Sequence, residues 1–193
     1  MLIHASHILR RLQYQAHALR HDTRGLAAIE FAMILPLMAV LFFGTVEVTR
    51  GVAVDRKVTI VARTLSDLTS QASNVDDTQL ANFFAASAAI MDPYPTTPVQ
   101  ATISQVKIDK DTLEATIRWS KGAKPHGVGQ TVDVPTGLKP AAGSMTDTYL
   151  IWSEVSYLYK PLTEYTMTDV MLGDQAYTRP RQSLCVTYNN APC

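Results

Sequence analysis

The chain has 193 residues, of which 47% are hydrophobic and 18% are charged. This length suits one compact domain with a membrane anchor and argues against two full domains. The formal net charge is zero, and no block of Lys and Arg stands out. The electrostatic signature of a nucleic-acid-binding protein is therefore missing, and no nucleic acid is expected as a partner.

Residues 1–25 form a basic, amphipathic leader, in which four arginines, Arg10, Arg11, Arg20 and Arg24, face a single acid, Asp22. Such a leader is expected to stay in the cytoplasm. Four further cations follow the next apolar segment and match the leader charge: Arg50, Arg56, Lys57 and Arg63. The charge distribution alone therefore leaves the membrane orientation open.

Residues 26–46 are predicted to form a transmembrane helix. The segment reads LAAIEFAMILPLMAVLFFGTV, with Glu30 as its only charge. About twenty apolar residues are needed for a helix to cross roughly 30 Å of hydrocarbon. The alternatives are a buried core helix and a secretory signal peptide, whose apolar region has about 7–15 residues and ends at an A-x-A-like cleavage site.

Glu30 is costly at this position, because an ionised carboxylate at bilayer depth costs at least about 2.5–3.5 kcal/mol. One interpretation is that its side chain reaches back to the cytoplasmic headgroups. The other is that it has a positive partner. If the chain were cut after Gly25, the new α-ammonium of Leu26 would lie four residues before Glu30 and would be the natural partner.

The stretch RGLAAIEFAMILPL, Arg24 to Leu37, resembles the N-terminal signature of the TadE/TadG-like family. These proteins are pseudopilins of tight-adherence (Tad) pili and are related to type IVb pilins. The resemblance implies that a prepilin peptidase cuts on the cytoplasmic side after Gly25. Leu26 would then be the mature N-terminus, and Glu30 would be the glutamate at the fifth mature position.

The resemblance also implies an assembly role for Glu30, Phe31 and Pro36. Pro36 matches a proline usually found in the pilin membrane helix, where it removes a hydrogen bond and kinks the helix. A second stretch, EVSYLYKPL at Glu154 to Leu162, resembles the Y-x-Y-x-P-L pattern common in the C-terminal part of these proteins. In a filament core, Glu30 of one subunit would neutralise the terminal amine of its neighbour and select alignment more than strength.

The helix is predicted to continue past Val46 to about Ser70, because one apolar stripe recurs at alternating spacings of three and four. The stripe consists of Gly51, Val54, Val58, Val61, Leu65, Leu68 and Ala72. Packing against the domain's own core is favoured over a coiled-coil seam with another chain. A second helix is predicted from Asp77 to Met91, with Asp76 or Asp77 as N-cap and the run DPYPTTP ending it.

Alternating apolar residues then predict antiparallel strands. The expected elements are a strand at Val99–Ile108 with a bulge between Ile103 and Val106, a turn at Asp109–Asp111, a strand at Leu113–Trp119, a loop from Lys121 to Ser144 with an extended piece near Val132, a strand at Tyr149–Tyr159 and a short strand at Leu184–Tyr188. The fold class is therefore α+β, with the long helix covering one face of the sheet, which agrees with the pilin-like architecture that the resemblance implies. Residues 47–193 form the periplasmic or extracellular domain.

The two cysteines, Cys185 and Cys193, flank the short segment VTYNNAP, whose turn residues can bring them together. A disulfide there would contribute about 2–3 kcal/mol and would persist only in an oxidising compartment. This favours a C-terminal domain outside the cytoplasm. Two free thiols are the alternative.

The sequence offers little for catalysis. His126 is the only histidine after the membrane segment and is expected to be a solvent-exposed loop residue. The leader histidines at helical spacing lack the further ligands of a metal site: His4, His7, His17 and His21. Four tyrosines are expected to be half-buried in the sheet by default, with an adhesive surface as the alternative: Tyr149, Tyr157, Tyr159 and Tyr165. The chain lacks GxxxxGK[ST], CxxC and HExxH, so no enzyme activity, cofactor or metal is predicted.

The favoured hypothesis is a minor pilin-like subunit of a Tad-type pilus used in surface adhesion. Its expected partners are a prepilin peptidase, other pilin and pseudopilin subunits, an inner-membrane pilus assembly platform and the lipid bilayer. The alternative is an uncleaved single-pass protein that scaffolds the assembly machinery in the envelope. A third hypothesis, an anchored enzyme, lacks a recognisable site.

Overall fold

A computed structural model describes residues 24–141, 144–161 and 168–192. The chain divides into two compact units between Val46 and Glu47, and each unit is described by itself below. The longest element is the helix α1, which spans Arg24–Ser70 and has 47 residues. Together with a shorter helix and an antiparallel sheet, it confirms the predicted α+β class.

In the first unit, α1 presents an apolar surface that the unit does not cover. Residues 25–38 are all exposed. Within the described residues, one helix is long and apolar enough to cross a membrane, with a window of mean hydropathy 2.4 of which none is buried. Its exposed large apolar side chains are Leu26, Ile29, Phe31, Met33, Ile34, Leu35, Leu37, Met38, Val40, Leu41, Phe42 and Phe43. These features are those of a membrane-inserted segment.

In the second unit, the remainder of α1 packs its apolar stripe onto the domain's own sheet, as predicted. Val54, Val58 and Leu65 are fully buried. The first two belong to a cluster with Val155 and Tyr157 of the sheet. The side chain of Ser153 adds a hydrogen bond, donated at 2.5 Å to the carbonyl oxygen of Ala62.

The second helix, α2, spans Asp77–Ala88 and is followed by a 3₁₀ turn at Ala89–Met91. The predicted helix from Asp77 to Met91 is confirmed, except that its last three residues form a 3₁₀ turn instead of an α-helical one. Asp76 is the N-cap, since its Oδ1 accepts a hydrogen bond from the backbone N–H of Gln79 at 2.7 Å. Lys57 of α1 donates to the carbonyl oxygens of Ile90 and Asp92, both at 2.7 Å, which ties the two helical segments together.

Seven strands form two sheets within the described residues. Their bounds are β1 Asn74–Val75, β2 Val99–Ile108, β3 Ala115–Gly122, β4 Thr131–Val132, β5 Thr148–Tyr159, β6 Val170–Thr178 and β7 Thr187–Tyr188. Five of them make an antiparallel sheet in the order β4-β3-β2-β5-β6, while β1 and β7 pair in parallel. The longest strand, β5, has a neighbour on each side and contributes buried residues to both faces of the sheet.

The predicted bulge is confirmed between Gln105 and Val106 of β2. Gln105 lies opposite Trp119 and Val106 lies opposite Ile117, so β3 advances by one extra residue at this point. Because of this extra residue, two side chains of β3 that are two positions apart lie on opposite faces of the sheet. Trp119 joins a cluster with Leu65 of α1 and Leu80 of α2, whereas Ile117 joins the cluster on the opposite face.

The opposite face has its own apolar core, covered by the segment that was predicted as a loop. Val134 is buried there against Ile117, Leu150 and Trp152, and Leu138 packs at its margin. Leu138 belongs to a 3₁₀ turn at Thr136–Leu138.

Several predicted strand boundaries were wrong. β3 begins at Ala115 and continues to Gly122, and β7 begins at Thr187 rather than at Leu184. β1 and β6 were not predicted from the sequence.

Candidate processing and assembly site

The residues expected at the processing site lie together at the start of α1. Gly25 and Leu26 are in its first turn, and Glu30 and Phe31 follow about one turn later. Four residues correspond to about 6 Å along a helix axis, so Leu26 and Glu30 lie near one another on one face. All four residues are exposed. The arrangement is thus accessible to another protein.

Gly25 has no packing role within the described chain. A Cβ added at this position would meet no atom within 4 Å. Its backbone is helical, which any L-residue can adopt, so its own conformation does not require glycine either. Nothing in the described chain therefore requires glycine at this position.

Glu30 has no hydrogen bond or ion pair with any residue that the structure describes. Its neighbours on the same helix face are apolar and exposed, with Leu26 at 60% and Ile34 at 53%. A carboxylate among such side chains is stabilised only by a cation or a donor supplied by another molecule, by lipid headgroups or by water. The site is therefore electrostatically incomplete within the described chain.

Pro36 lies inside α1, and the helix is continuous on both sides of it. Because proline lacks an N–H group, the carbonyl oxygen of Ala32 loses its helical donor. In a membrane, the hydroxyl groups and helices of neighbours can satisfy such a carbonyl. Phe31, at 64% exposure, offers an aromatic side chain for contact with such neighbours.

Within the second unit, Glu47 contacts Tyr159, which belongs to the second stretch that carries the family resemblance. The Tyr159 hydroxyl donates a hydrogen bond of 2.6 Å to Oε1 of Glu47. Both side chains are buried, at 3% and 8% exposure. Burial, followed by the hydrogen bond that the hydroxyl donates to Glu47, raises the pKa of Tyr159 to about 12.

Glu47 was not singled out in the sequence, although a lone acid directly after a long apolar run is a readable signal. The prediction of half-buried tyrosines underestimates their burial: Tyr149, Tyr157 and Tyr159 are all buried. An adhesive surface made of these three is therefore wrong. Tyr165 and Leu162 lie outside the described residues, as do the leader histidines.

His126 is not the freely exposed loop residue that the sequence predicted. Its Nε2 lies 2.5 Å from Oε2 of Glu154, and its side chain is only 23% exposed. Its ring stacks on Trp152 with centroids 4.9 Å apart, and Tyr177 stacks on the same indole at 5.7 Å. The backbone N–H of His126 donates to the Ser120 hydroxyl at 2.9 Å, which anchors the loop to β3.

Cys185 is buried at 6% exposure. Its predicted partner, Cys193, lies outside the described residues, so the disulfide stays a prediction. Among the described residues, no group of three or more His, Cys, Asp or Glu has a metal-binding arrangement.

Comparison with known proteins gives one match. Residues 25–66 match the family described as TadE-like protein. No curated protein matches the chain, and no solved structure matches it. The matched range contains Gly25, Leu26, Glu30, Pro36 and Glu47, and it agrees with the resemblance seen in the sequence. Over residues 25–66, which include the membrane-type part of the N-terminal helix, the chain is similar to TadE-like proteins.

Proposed function

We propose that the chain is a minor pilin-like subunit, a pseudopilin, that takes part in assembly of a Tad-type pilus for surface adhesion. A prepilin peptidase removes residues 1–25 on the cytoplasmic side. The helix at 26–46 crosses the inner membrane once, and the domain at 47–193 lies in the periplasm until the subunit is assembled. The role is structural rather than enzymatic.

The observation that carries the proposal is the state of Glu30. It is exposed on an apolar helix, and it has no charge partner among the described residues. The α-ammonium created at Leu26 of an adjacent subunit supplies such a partner. Since an unpaired charge in a filament core is heavily penalised, the pair accepts only the alignment in which the two groups meet.

Gly25 supports the cleavage step independently. Since neither packing nor backbone conformation requires a glycine there, recognition by a peptidase that needs a small residue before the cut explains it. Gly44 in the same helix also has no atom within 4 Å of an added Cβ. It is therefore a matched control for any loss of helix stability or insertion.

The test of processing is mass spectrometry of the N-terminal peptide from protein purified from the native cells. The expected first residue is Leu26. We expect Gly25→Leu to leave Met1 in place and to accumulate unprocessed protein, while Gly44→Leu is cut normally. An intact Met1 in the wild-type protein would contradict the proposal and would instead support the uncleaved scaffold.

The test of assembly uses Glu30→Gln and Glu30→Leu. Both variants should insert into the membrane at least as well as the wild type, because each removes a charge from hydrocarbon. Their incorporation into pili should fall at least tenfold, measured by immunoblot of sheared filaments against the membrane fraction. Normal incorporation of Glu30→Leu would remove the register role.

A separate experiment addresses the non-enzymatic role. Deleting the gene should abolish or reduce piliation and surface attachment. Normal pili and normal attachment in the deletion strain would contradict a pilus function. In that case an anchored enzyme would become the better hypothesis.

A further inference from the structure

A small, mostly apolar cavity lies where the C-terminal segment around β7 meets the bulged part of β2 and β3. Its volume is about 180 Å³, and its wall includes Trp119, Val128, Val186, Tyr188 and Pro192. An apolar protein cavity of about 150 Å³ accommodates benzene. This cavity is therefore large enough for one ring or one short chain.

The bulge of β2 places Gln105 opposite Trp119, and the two side chains are hydrogen-bonded. Nε1 of Trp119 donates to Oε1 of Gln105 at 2.7 Å and to the carbonyl oxygen of Val186 at 2.8 Å. Because an indole N–H can only donate, the amide oxygen of Gln105 must face it. The amide NH₂ is thereby held away from the indole, and it cannot change places with the oxygen without loss of this bond.

The amide nitrogen of Gln105 has no hydrogen-bond partner within the described residues, although the residue is only 1% exposed. Buried side-chain donors are nearly always paired in folded proteins, because an unpaired donor loses its hydration without compensation. Gln105 also lines the cavity. The missing acceptor is therefore expected to belong to a molecule that enters the cavity.

The other polar side chains of the wall already have partners. The hydroxyl of Tyr188 donates to Asp77 at 2.7 Å, and the hydroxyl of Thr187 donates to Asn74 at 2.8 Å. Within the described residues, Arg118 is the one charged residue of the wall, and it is also engaged with another group. A molecule in the cavity thus meets a single uncommitted polar side-chain group, the amide NH₂, among mostly apolar surfaces.

This arrangement favours an uncharged occupant with one acceptor atom. A buried water needs about two to four polar partners, and the side chains of the wall offer it one group. An anion would meet no uncommitted cation, so its charge would be buried without compensation. A carbonyl oxygen on an apolar body pairs with the NH₂ and leaves no polar atom of its own unpaired.

We infer that this cavity binds a small uncharged molecule that carries one carbonyl-type oxygen on an apolar ring or chain. The Gln105 NH₂ donates to the oxygen, and the rings of Trp119 and Tyr188 contact the apolar body. Ketones, esters, lactones and amides of about the size of benzene have this chemistry. The cavity is separate from the processing and assembly residues of α1, so the inference does not depend on the proposed function.

The test uses the full chain in detergent micelles with ¹⁵N-labelled Gln and Trp side chains, and cyclohexanone as the probe. Saturable shifts of the Gln105 Nε2 and Trp119 Nε1 resonances are expected. Trp152 does not line the cavity, so its Nε1 resonance should stay unchanged. Methylenecyclohexane has a CH₂ group in place of the oxygen and should bind about tenfold more weakly, because it leaves the buried donor unpaired.

The charge preference is tested with cyclohexanecarboxylate, which should bind more weakly than cyclohexanone because no uncommitted cation receives it. Tighter binding of the carboxylate, or equal binding of cyclohexanone and methylenecyclohexane, would overturn the inference. Absence of a saturable shift with cyclohexanone would mean that the cavity holds water only, which overturns it as well.

A variant locates the donor. Gln105→Leu should reverse the preference, so that methylenecyclohexane binds at least as well as cyclohexanone, read from Trp119 Nε1. Gln100→Leu is the matched control and should keep the wild-type preference, because Gln100 is an exposed glutamine on the same strand and does not line the cavity. An unchanged preference in Gln105→Leu would overturn the site. If that variant fails to fold, the titrations of the native protein with the three probes decide the matter.

Discussion

The two halves of α1 differ both in apolar content, which is higher before Glu47, and in environment. Before Val46, side chains such as Phe31, at 64%, and Leu41, at 59%, are exposed, whereas Val58 and Leu65 after it are completely buried. The apolar stripe of the second half packs against the domain's own sheet. The first half has no such partner within its own unit, so its surface is available to lipid and to the helices of other proteins. One continuous helix thus packs onto the sheet with its second half and leaves the apolar side chains of its first half exposed.

Two glutamates show the same contrast. Glu30 is exposed without a partner among the described residues, while Glu47 is buried and accepts the hydroxyl of Tyr159. We therefore expect Glu30 to find its partner outside the subunit and Glu47 to contribute to the stability of the domain. Substitutions in matched pairs can test this distinction.

The largest effect is expected from truncating the buried half of the helix. Leu65→Ala leaves a cavity between α1 and the sheet and should lower the free energy of unfolding by about 2–5 kcal/mol. Leu41→Ala removes the same atoms from an exposed position and should change it by less than about 0.5 kcal/mol. Urea titration of the full chain in micelles, followed by tryptophan fluorescence, measures both. Equal losses would remove the distinction between the two halves.

A smaller effect is expected at the two glutamates. Glu47→Leu leaves the buried hydroxyl of Tyr159 without its acceptor and should destabilise the domain by about 1–3 kcal/mol. Glu47→Gln keeps an acceptor oxygen and should cost less. Glu30→Leu should not lower the unfolding free energy. The same urea titration applies, and a destabilised Glu30→Leu would show that Glu30 has an unrecognised role inside the subunit.

Alkaline pH offers a test of the second unit through two tyrosines, Tyr159 beside α1 and Tyr177 on the opposite face of the sheet. Burial, with the Glu47 hydrogen bond, raises the pKa of Tyr159 to about 12, and burial raises that of Tyr177 to about 12. A raised pKa means that the neutral hydroxyl is favoured in the folded state. Its stabilising contribution is complete below the ordinary tyrosine value near 10 and is lost as pH rises toward 12.

We therefore expect the unfolding free energy to fall between pH 10 and 12. Tyr159→Phe and Tyr177→Phe should each reduce that pH dependence, and the double variant should reduce it further. Thermal melts at stepped pH values provide the measurement. A double variant with the pH profile of the wild type would show that neither tyrosine is responsible.

The smallest effect is expected at the C-terminal end of α1. Arg181 pairs with Asp67 there, and the two side chains are 58% and 40% exposed. Water screens such a pair, so Arg181→Gln should cost less than about 1 kcal/mol. The backbone N–H of residue 181 still donates to the carbonyl oxygen of Ser70 at 2.9 Å and is unaffected by the change. A loss above 2 kcal/mol in the urea titration would mean that this end of α1 depends on the side-chain pair.

The features that were predicted correctly have local signals. The stripe that includes Val54, Val58 and Leu65 repeats with the period of a helix, and β5 is dense in β-branched and aromatic residues. The bulge near Gln105 was visible as a slip in the alternation of β2. Each of these signals lies within about a dozen residues, so it can be read without knowledge of the tertiary structure.

The features that were missed depend on contacts between distant residues. β6 is an edge strand whose sequence VMLGDQAYT has no clean alternation, and most of its early residues are exposed. The contact between His126 and Glu154 joins residues 28 positions apart, and Glu47 meets Tyr159 across 112 positions. Nothing near His126 in the sequence indicates Trp152, so an exposed loop was the natural but wrong expectation.

The parallel pair of β1 and β7 has a consequence for biosynthesis. It joins Asn74 to Thr187 and Val75 to Tyr188. The indole N–H of Trp119 likewise donates to a residue near the end of the described chain, the carbonyl oxygen of Val186. During translation, these groups have no strand or acceptor until residues 186–188 have emerged from the ribosome. The apolar segment at the start of α1 emerges more than a hundred residues earlier. It is therefore exposed while the domain behind it is still open.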